Sequence, residues 1–244
     1  MEWTDDAIVL GTRRHGEASA VLELMTREHG RHLGMIKAAR SPALAATLQP
    51  GNAVSATWRA RLDEHLGQWL VEATRLVAAS FMTNPLALHG IQHAAGLLRL
   101  LPERDPHPEL YAALEVVTGQ FDDAGLSGEL MVRLEMAVLE TLGFGLDLGV
   151  CALTGATDDL AWVSPRTGRA ATRAAGSPYG NRLLPLPAFL VERRPHEAPD
   201  AGQLRDGFRL TGHFLARHVW DPRALAPPDA RAGFLAALER RLAD

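Results

Sequence analysis

The sequence predicts an α+β protein in two parts: a small five-stranded β-barrel over residues 1–80 and an α-helical domain over 81–244. Three observations carry that prediction. Five short apolar stretches fill the first 80 residues with no long helix between them. From Asn84 onward the apolar residues recur at helical spacing instead. The chain of 244 residues is 47% hydrophobic and 22% charged, a composition able to bury a proper core and incompatible with wholesale disorder.

The first strand is expected over 3–11, where Ala7-Ile8-Val9-Leu10 runs into Gly11. A turn through Arg14-His15-Gly16-Glu17 leads to a second strand over 18–25, and Gly30 breaks the chain before a third over 32–38. The clearest alternation lies at 54–62, with Val54, Ala56, Trp58, Ala60 and Leu62 on one face. Ser55, Thr57, Arg59 and Arg61 occupy the other face, and Pro50-Gly51-Asn52 turns the chain into this strand. A fifth strand over 68–78 places Trp69, Val71 and Ala73 on one side. Five strands of this size, without intervening long helices, suit an OB-fold barrel.

Asn84 is placed to cap the first helix, with Pro85 at its first position, and the helix ends before the prolines at 102, 106 and 108. A second helix is expected over 110–123. A third follows a Ser127 cap, buries Leu130, Leu134, Val138 and Leu142, and stops at Gly143. The segment 145–187 is rich in turn residues and reads as irregular. Asp200 opens a helix with the stripe Leu204, Phe208, Thr211, Leu215 and Val219. Asp229 caps the last, which carries Phe234, Leu235, Leu238 and Leu242.

Several function classes drop out. Every apolar run is interrupted well short of a membrane span, and the acidic start Met1-Glu2-Trp3-Thr4-Asp5-Asp6 has no signal core, so a cytoplasmic location is expected. The one cysteine, Cys151, excludes an intramolecular disulfide and a four-thiolate zinc site. His89 and His93 share a helix face but lack the glutamate of a zinc-protease motif, and read as structural. The glycines at 143, 145 and 149 follow a helix and terminate it, where a dinucleotide loop would follow a strand. Neither a P-loop nor a nucleophile elbow occurs, so no enzyme and no cofactor is expected.

Charge is distributed unevenly. The net charge of −4 conceals a stretch from Ile8 to Arg61 in which eight cations face three carboxylates, whereas residues 81–244 sum to −4. Arg13, Arg14, Arg31, Lys37, Arg40, Arg59 and Arg61 are the candidate nucleic-acid contacts. Arg59 and Arg61 are expected on one strand face, the others in turns. Two readings stand at this level: an ordinary solvated surface, or a barrel face that tracks a single-stranded phosphate backbone. Trp3, Trp58 and Trp69 are the only aromatic residues before Phe81, and two of them are expected to point inward, which leaves little for base stacking. A protein-only interaction scaffold is the alternative function class.

Taken in order, these residues resemble the RecO family of bacterial recombination mediators. The amino-terminal likeness runs through Ala7-Ile8-Val9-Leu10, Arg13 with Gly16-Glu17, Leu24-Met25-Thr26, Gly30-Arg31, Lys37-Ala38-Ala39-Arg40-Ser41 and Leu48-Gln49-Pro50-Gly51. Further on come Arg133-Leu134-Glu135, Leu142-Gly143-Phe144-Gly145-Leu146-Asp147-Leu148 leading to Cys151, Tyr179, and Arg182-Leu183-Leu184-Pro185-Leu186-Pro187-Ala188-Phe189-Leu190. The likeness spans about 5–220. It implies an OB-fold followed by a helical domain, binding of single- and double-stranded DNA, annealing of complementary strands, and work on the nucleoid without covalent chemistry. It also implies partnership with RecR, which helps RecA replace single-strand-binding protein.

Two finer expectations follow from the resemblance. Some family members hold zinc on paired CxxC turns. Here Cys151 keeps the first position, Thr154 stands at the second, and Ser164-Pro165-Arg166-Thr167-Gly168 lacks the later pair. A zinc-less remnant loop packed by Leu153, Leu160, Trp162 and Val163 is therefore expected, with no metal. The family also grips the acidic, Phe-ending tail of single-strand-binding protein. Arg133, with Phe121, Leu134 and Leu142, is the candidate pocket for it, an ion pair to Glu129 being the alternative role of Arg133.

Overall fold

A computed structural model of the chain describes residues 1–191 and 198–243. Packing divides it into two compact units, Met1–Gly119 with Ala230–Phe234, and Gln120–Asp229 with Leu235–Asp244. The change from strands to helices thus falls near residue 77, while the first packing unit continues to Gly119.

The first unit is built on strands β1 (Glu2–His15), β2 (Ser19–Thr26) and β3 (Gly30–Ile36), a short helix α1 (Pro42–Thr47), then β4 (Ala53–Arg59) and β5 (Gln68–Arg75). Pairing runs β1-β2-β3-β5-β4 and returns from β4 to β1, a barrel. One strand makes this circuit possible. The first half of β1 pairs with β4, from Glu2↔Arg59 to Ile8↔Ala53, and the second half pairs with β2, from Ala7↔Thr26 to His15↔Ser19. The register shifts between Val9 and Gly11, a bulge that bends the strand from one neighbour to the other.

Ala7, Val9, Leu22, Leu24, Val54, Ala56, Trp58 and Trp69 form the buried interior. Ile8, Leu10 and Met25, on the opposite face, are buried as well. The helix Pro85–Leu98 packs on β1 and the helix Pro108–Thr118 on β2, so this part of the barrel is covered on both sides. That is why Ala7-Ile8-Val9-Leu10 reads as a continuous apolar run and not as an alternation.

Four details differ from the sequence-based expectation. β1 extends to His15, so Arg13 and Arg14 lie on a strand and not in a turn. β4 stops at Arg59, and the reciprocal bonds of Met1 and Ala60 are the last between it and β1, so Arg61 belongs to the following loop and shares no strand face with Arg59. Helix α1 is too short for its period to register in the sequence. Ala73 and Leu62 are exposed.

Asn52 fixes the exit from α1. Its side-chain amide donates to the carbonyls of Ala46 and Thr47, and its Oδ1 accepts from the amides of Val77 and Ala78, all within 2.8–3.1 Å. These bonds seat the small helix α2 (Ala78–Phe81). Next comes α3 (Pro85–Leu98), capped as expected by Asn84, whose side chain accepts from Leu86 and Ala87, and then α4 (Pro108–Thr118).

The second unit opens with α5 (Ala124–Thr141), and Asp123, not Ser127, is its cap, Asp123 Oδ1 accepting from Leu126 at 2.9 Å. Ser127 lies one turn inside, buried, with its hydroxyl on the Gln120 and Asp123 carbonyls. Met131, Leu134, Val138 and Leu139 are sealed, whereas Leu130 and Leu142 are only half-buried, so the buried face is rotated from the expected stripe.

The segment expected to be irregular holds a small sheet. Strands β6 (Leu160–Val163), β7 (Ala170–Thr172) and β8 (Leu184–Pro185) pair in the order β7-β6-β8, with the short helix α6 (Arg173–Gly176) between the last two. Strands of two to four residues are too brief to show a period. Helix α7 (Ala201–Leu215), capped by Asp200, buries Leu204, Phe208, Thr211 and Leu215 as expected, and packs on α5. Gly128 permits that approach, since a β-carbon there would come within 2.9 Å of Leu204. Helix α8 (Asp229–Ala243) closes the described chain, its residues divided between the two units.

Inside the barrel His32 is surrounded by Trp3, Trp58 and Trp69, with ring centroids at 4.9–5.5 Å. Burial holds its pKa down to about 4, Arg104 adding to the effect. An unfolded histidine takes its proton near 6.5, so the unfolded state binds the extra proton first as pH falls. His32 should therefore cost the fold up to about 3 kcal/mol between pH 6.5 and 4. Urea unfolding midpoints measured across that range should fall more steeply for the parent than for His32→Gln.

Candidate nucleic-acid interface

The pairing register decides which of the candidate cations meet. Arg14, Ala20 and Ile36 stand in register across β1, β2 and β3, as do Arg13, Val21 and Met35. Met35 in turn pairs with Gln68 of β5, and Gln68 with Arg59 of β4. Five strand ends thus form one rim of the barrel. Arg13 and Arg14 lie at one side, Lys37 directly follows the end of β3, and Arg59 stands at the other side with Arg61 just beyond it. The Ala39 amide donates to the Ala18 carbonyl at 3.0 Å, which ties the turn carrying Lys37 and Arg40 to the turn between β1 and β2. Strand spacing puts neighbouring positions on this rim about 5 Å apart, so Arg14 to Lys37 and Lys37 to Arg59 each span about 10 Å.

Two grooves flank the outer face of β3. One, of about 270 Å³, is lined by Arg13, Val21, Glu23, Leu33 and Arg99. The other, of about 290 Å³, has Lys37 and Arg59 among its walls and Met35, Leu44 and Leu70 on its apolar side. Arg99 was not legible as a site residue. Its Nε donates to Glu23 at 2.7 Å and its Nη2 to the Leu10 carbonyl at 3.0 Å. The only trace in the sequence is Gly11, where a β-carbon would meet that guanidinium at 2.8 Å.

Arg13, Arg14, Lys37, Arg40 and Arg61 are exposed. Ion pairs in this part of the chain involve other cations: Arg27 with Asp6, Arg31 and Arg99 with Glu23, and Arg59 with Glu2. Arg59 keeps most of its surface, but Arg31 does not. Its side chain is 12% exposed, bonded to Glu23 at 2.8 Å and to the Leu101 carbonyl. It also sits at the opposite end of β3 from Lys37, six residues or about 20 Å away. Arg31 is a structural residue of the barrel wall and does not join the rim.

The aromatic residues offer this surface little: Trp69 alone reaches the second groove, and it is 5% exposed. Trp58 and Trp69 are buried in the interior, and Trp3 stacks on His29 at 3.8 Å. The rim offers guanidinium and ammonium groups with mostly aliphatic neighbours, and its one tryptophan is too deeply buried to act as a stacking platform.

The four residues considered for an acidic tail do not form an open pocket. Phe121 and Leu134 are 3% and 1% exposed, part of the sealed core of the second unit. Arg133 is ion-paired to Glu129 at 2.8 Å one helical turn back, donates to the Phe189 carbonyl, and lies over the Phe189 ring. Leu142 is half-buried on the same helix face as the core. Leu134 and Phe121 are packed inward, and the one apolar surface under Arg133, the Phe189 ring, is itself buried, which leaves no open apolar floor beside Arg133.

The turns that would hold zinc keep their backbone and lack the ligands. In the first, the Gly155 amide donates to the Cys151 carbonyl at 2.9 Å and Gly155 adopts φ +74°. In the second, the Gly168 amide donates to the Ser164 carbonyl at 2.9 Å with Gly168 at φ +70°. Leu153 of one turn and Ser164 and Thr167 of the other line a single cavity of about 310 Å³. Only one thiol is present, and three neutral hydroxyls do not replace thiolates around zinc. Zinc therefore does not fit. Hydrogen bonds occupy the corners instead: the Thr172 amide donates to Cys151 Sγ at 3.3 Å, and the Thr167 amide to Ser164 Oγ at 3.3 Å. The Thr154 hydroxyl, together with the amides of Thr172, Leu153 and Thr154, holds the buried Cys151 thiol down to about 6, against the effect of burial. Val163 packs inside this remnant as expected, but Leu153 is exposed. His89 and His93 belong to the helix-packed interior, and no group of three metal-binding side chains exists among the described residues.

Comparison with known proteins places names beside this geometry. The family description "Recombination protein O N terminal" matches residues 1–76, and "Recombination protein O C terminal" matches residues 82–224. The chain is 55% identical over 242 residues to the DNA repair protein RecO of Chelativorans sp. (strain BNC1), covering 99% of this chain and 97% of that protein. It is 54% identical over 241 residues to DNA repair protein RecO of Afipia carboxidovorans, covering 98% and 97%. It is 55% identical over 240 residues to that of Mesorhizobium japonicum, covering 98% and 94%. No helix among the described residues is long and apolar enough to cross a membrane.

The retained turns predict a gain of metal. The triple variant Thr154→Cys/Ser164→Cys/Thr167→Cys should bind one equivalent of cobalt(II) with the absorption of tetrahedral thiolate coordination, while the parent should hold no stoichiometric zinc by elemental analysis.

Proposed function

The chain belongs to the RecO family of DNA repair proteins, and from that membership we propose that the cationic rim of the barrel is its DNA-binding surface. Arg13, Arg14, Lys37, Arg40 and Arg61 are the proposed phosphate contacts, with Arg59 joining them when DNA competes with Glu2. The single observation that carries the reading is the register, which gathers Arg13 and Arg14 of β1 onto one edge with Arg59 of β4. Binding of this kind is independent of base sequence and falls steeply as salt rises, because each neutralised phosphate releases counterions.

The chemistry of the rim also suits annealing. With Trp58 and Trp69 buried, a strand is held by its backbone and its bases stay unstacked from the protein, free to pair with a second strand. Cations on the same rim lower the repulsion between the two polyanions as they approach. No covalent step is needed, so we propose a non-catalytic mediator. By family membership, its partners are single- and double-stranded DNA, RecR, and the acidic tail of single-strand-binding protein, and its product is DNA on which RecA can load. Tail binding through Arg133 would require the tail carboxylate to displace Glu129.

The protein-only scaffold reading is favoured by one observation: Leu62, Leu66 and Leu70 are 42%, 40% and 59% exposed beside the same rim. Salt titration separates the two. The variant Arg13→Ala/Arg14→Ala/Lys37→Ala should weaken single-stranded DNA binding and reduce the log–log salt slope by about 2, at roughly 0.7 per contact. Annealing of complementary oligonucleotides coated with single-strand-binding protein should fall in parallel. Arg166→Ala, which removes one positive charge from the second unit, should leave both unchanged. Loss of neither activity in the triple variant would leave the scaffold reading standing.

A further inference from the structure

The loop 60–67 between β4 and β5 has few contacts of its own. Its internal backbone bond, the His65 amide to the Leu62 carbonyl, is 3.2 Å, and Leu62, Leu66 and Arg61 are exposed. Its shape is imposed from outside. The Arg104 guanidinium donates to two of its carbonyls, one nitrogen to Asp63 and the other to His65 at 2.7 Å. The same guanidinium lies over the Trp58 ring, 5.5 Å from its centroid, and the Trp58 indole donates to the Leu66 carbonyl at 3.1 Å. Gly67 presses on that indole so closely that a β-carbon would fall 2.3 Å from its nitrogen, and it holds φ +67°. From there the Gly67 carbonyl accepts the Met35 amide at 3.0 Å, the junction of the loop with the end of β3.

Arg104 is itself held. It sits in the proline-bounded segment between α3 and α4, at φ +63°, an uncommon conformation for a residue with a side chain. Its amide donates to the Arg31 carbonyl at 2.8 Å, and the neighbouring Asp105 carbonyl rests on Gly30, where a β-carbon would stand 1.9 Å away. A planar fork with several donors can bridge two carbonyls and stack on an indole together; an ammonium cannot.

We propose that Arg104 is a positioning residue for DNA binding, which holds the loop 60–67 in one conformation so that Arg61 is presented on the rim beside Arg59 and Lys37. The role rests on the DNA-binding reading of that rim. Without the fork, the loop would have to be ordered at the moment of binding, and that ordering would be subtracted from affinity. Arg104 itself is turned to the loop carbonyls and not to DNA, so its loss should act on affinity without removing a phosphate contact.

Two measurements on the full chain test this: hydrogen exchange of the 60–67 amides in the free protein, and anisotropy of a labelled oligothymidylate over a range of salt. Arg104→Gly suits the backbone at φ +63°, so it removes the side chain without adding strain. It should speed exchange in the loop and weaken oligonucleotide binding about tenfold, the loss of two hydrogen bonds, with the salt slope unchanged. Arg104→Lys should restore only part of the protection. Arg61→Ala should reduce the slope by nearly one in the parent and add little affinity loss in the Arg104→Gly background. Unchanged loop exchange in Arg104→Gly would overturn the proposal. So would a slope that shrinks as it does in Arg61→Ala, since Arg104 would then be touching phosphate. If the parent itself binds oligonucleotide without salt dependence, the DNA reading fails and this role with it, while the exchange data still show whether Arg104 fixes the loop.

Discussion

The dual pairing of β1 is the constraint from which the site geometry follows. A strand of 14 residues that serves β4 with its first half and β2 with its second must bend, and the bulge before Gly11 supplies the bend. Because β1 serves both neighbours, the barrel closes through a single paired position between β3 and β5, Met35 against Gln68. That closure brings the β1–β2 turn, the end of β3 and the β4–β5 loop to one edge. Without the bend Arg14 and Arg61 would belong to unrelated surfaces.

Carboxylates sort the cations around that edge. Glu23 takes Arg31 and Arg99 together and pins the barrel wall to the end of α3, so two of the basic residues of the first unit serve architecture. The Arg31–Glu23 pair is largely desolvated, so its net contribution to stability is small. The exposed cations left on the rim gain little from the fold and are available to an external polyanion. In the second unit the same economy of polar groups appears around Cys151, where amides and hydroxyls satisfy corners that metal would otherwise join. A small sheet of short strands is held by turns with glycine at positive φ and by the buried Val163, so it does not depend on an ion for its shape.

Much of this was legible in the sequence, and the remainder has identifiable physical causes. The alternation from Val54 to Trp58 gave its inward face correctly, and Asn84 with Pro85 marked a helix start, because both signals are local. The end of β4 was not local: its last bonds to β1 join Ala60 to Met1, 59 residues away. Arg31 looked like any other arginine in a basic stretch, since its partners, Glu23 and the Leu101 carbonyl, are 8 and 70 residues distant. Arg133 sat beside Leu134 and near Phe121 in plausible combination, but both apolar side chains are packed in the core, and the guanidinium is left with Glu129 and the Phe189 carbonyl. Arg104 carried no signal at all, because its function is to meet main-chain carbonyls, and those have no sequence identity.

Lys37 has a consequence of a different kind. It is the only lysine in the chain, and it stands at the end of β3, in the middle of the rim. The other primary amine, at Met1, is engaged with the Ala60 carbonyl at 2.7 Å. Any chemistry directed at ε-amino groups, whether acylation in a cell or an N-hydroxysuccinimide dye at the bench, therefore has one side-chain target, and that target lies on the surface through which this molecule would meet DNA.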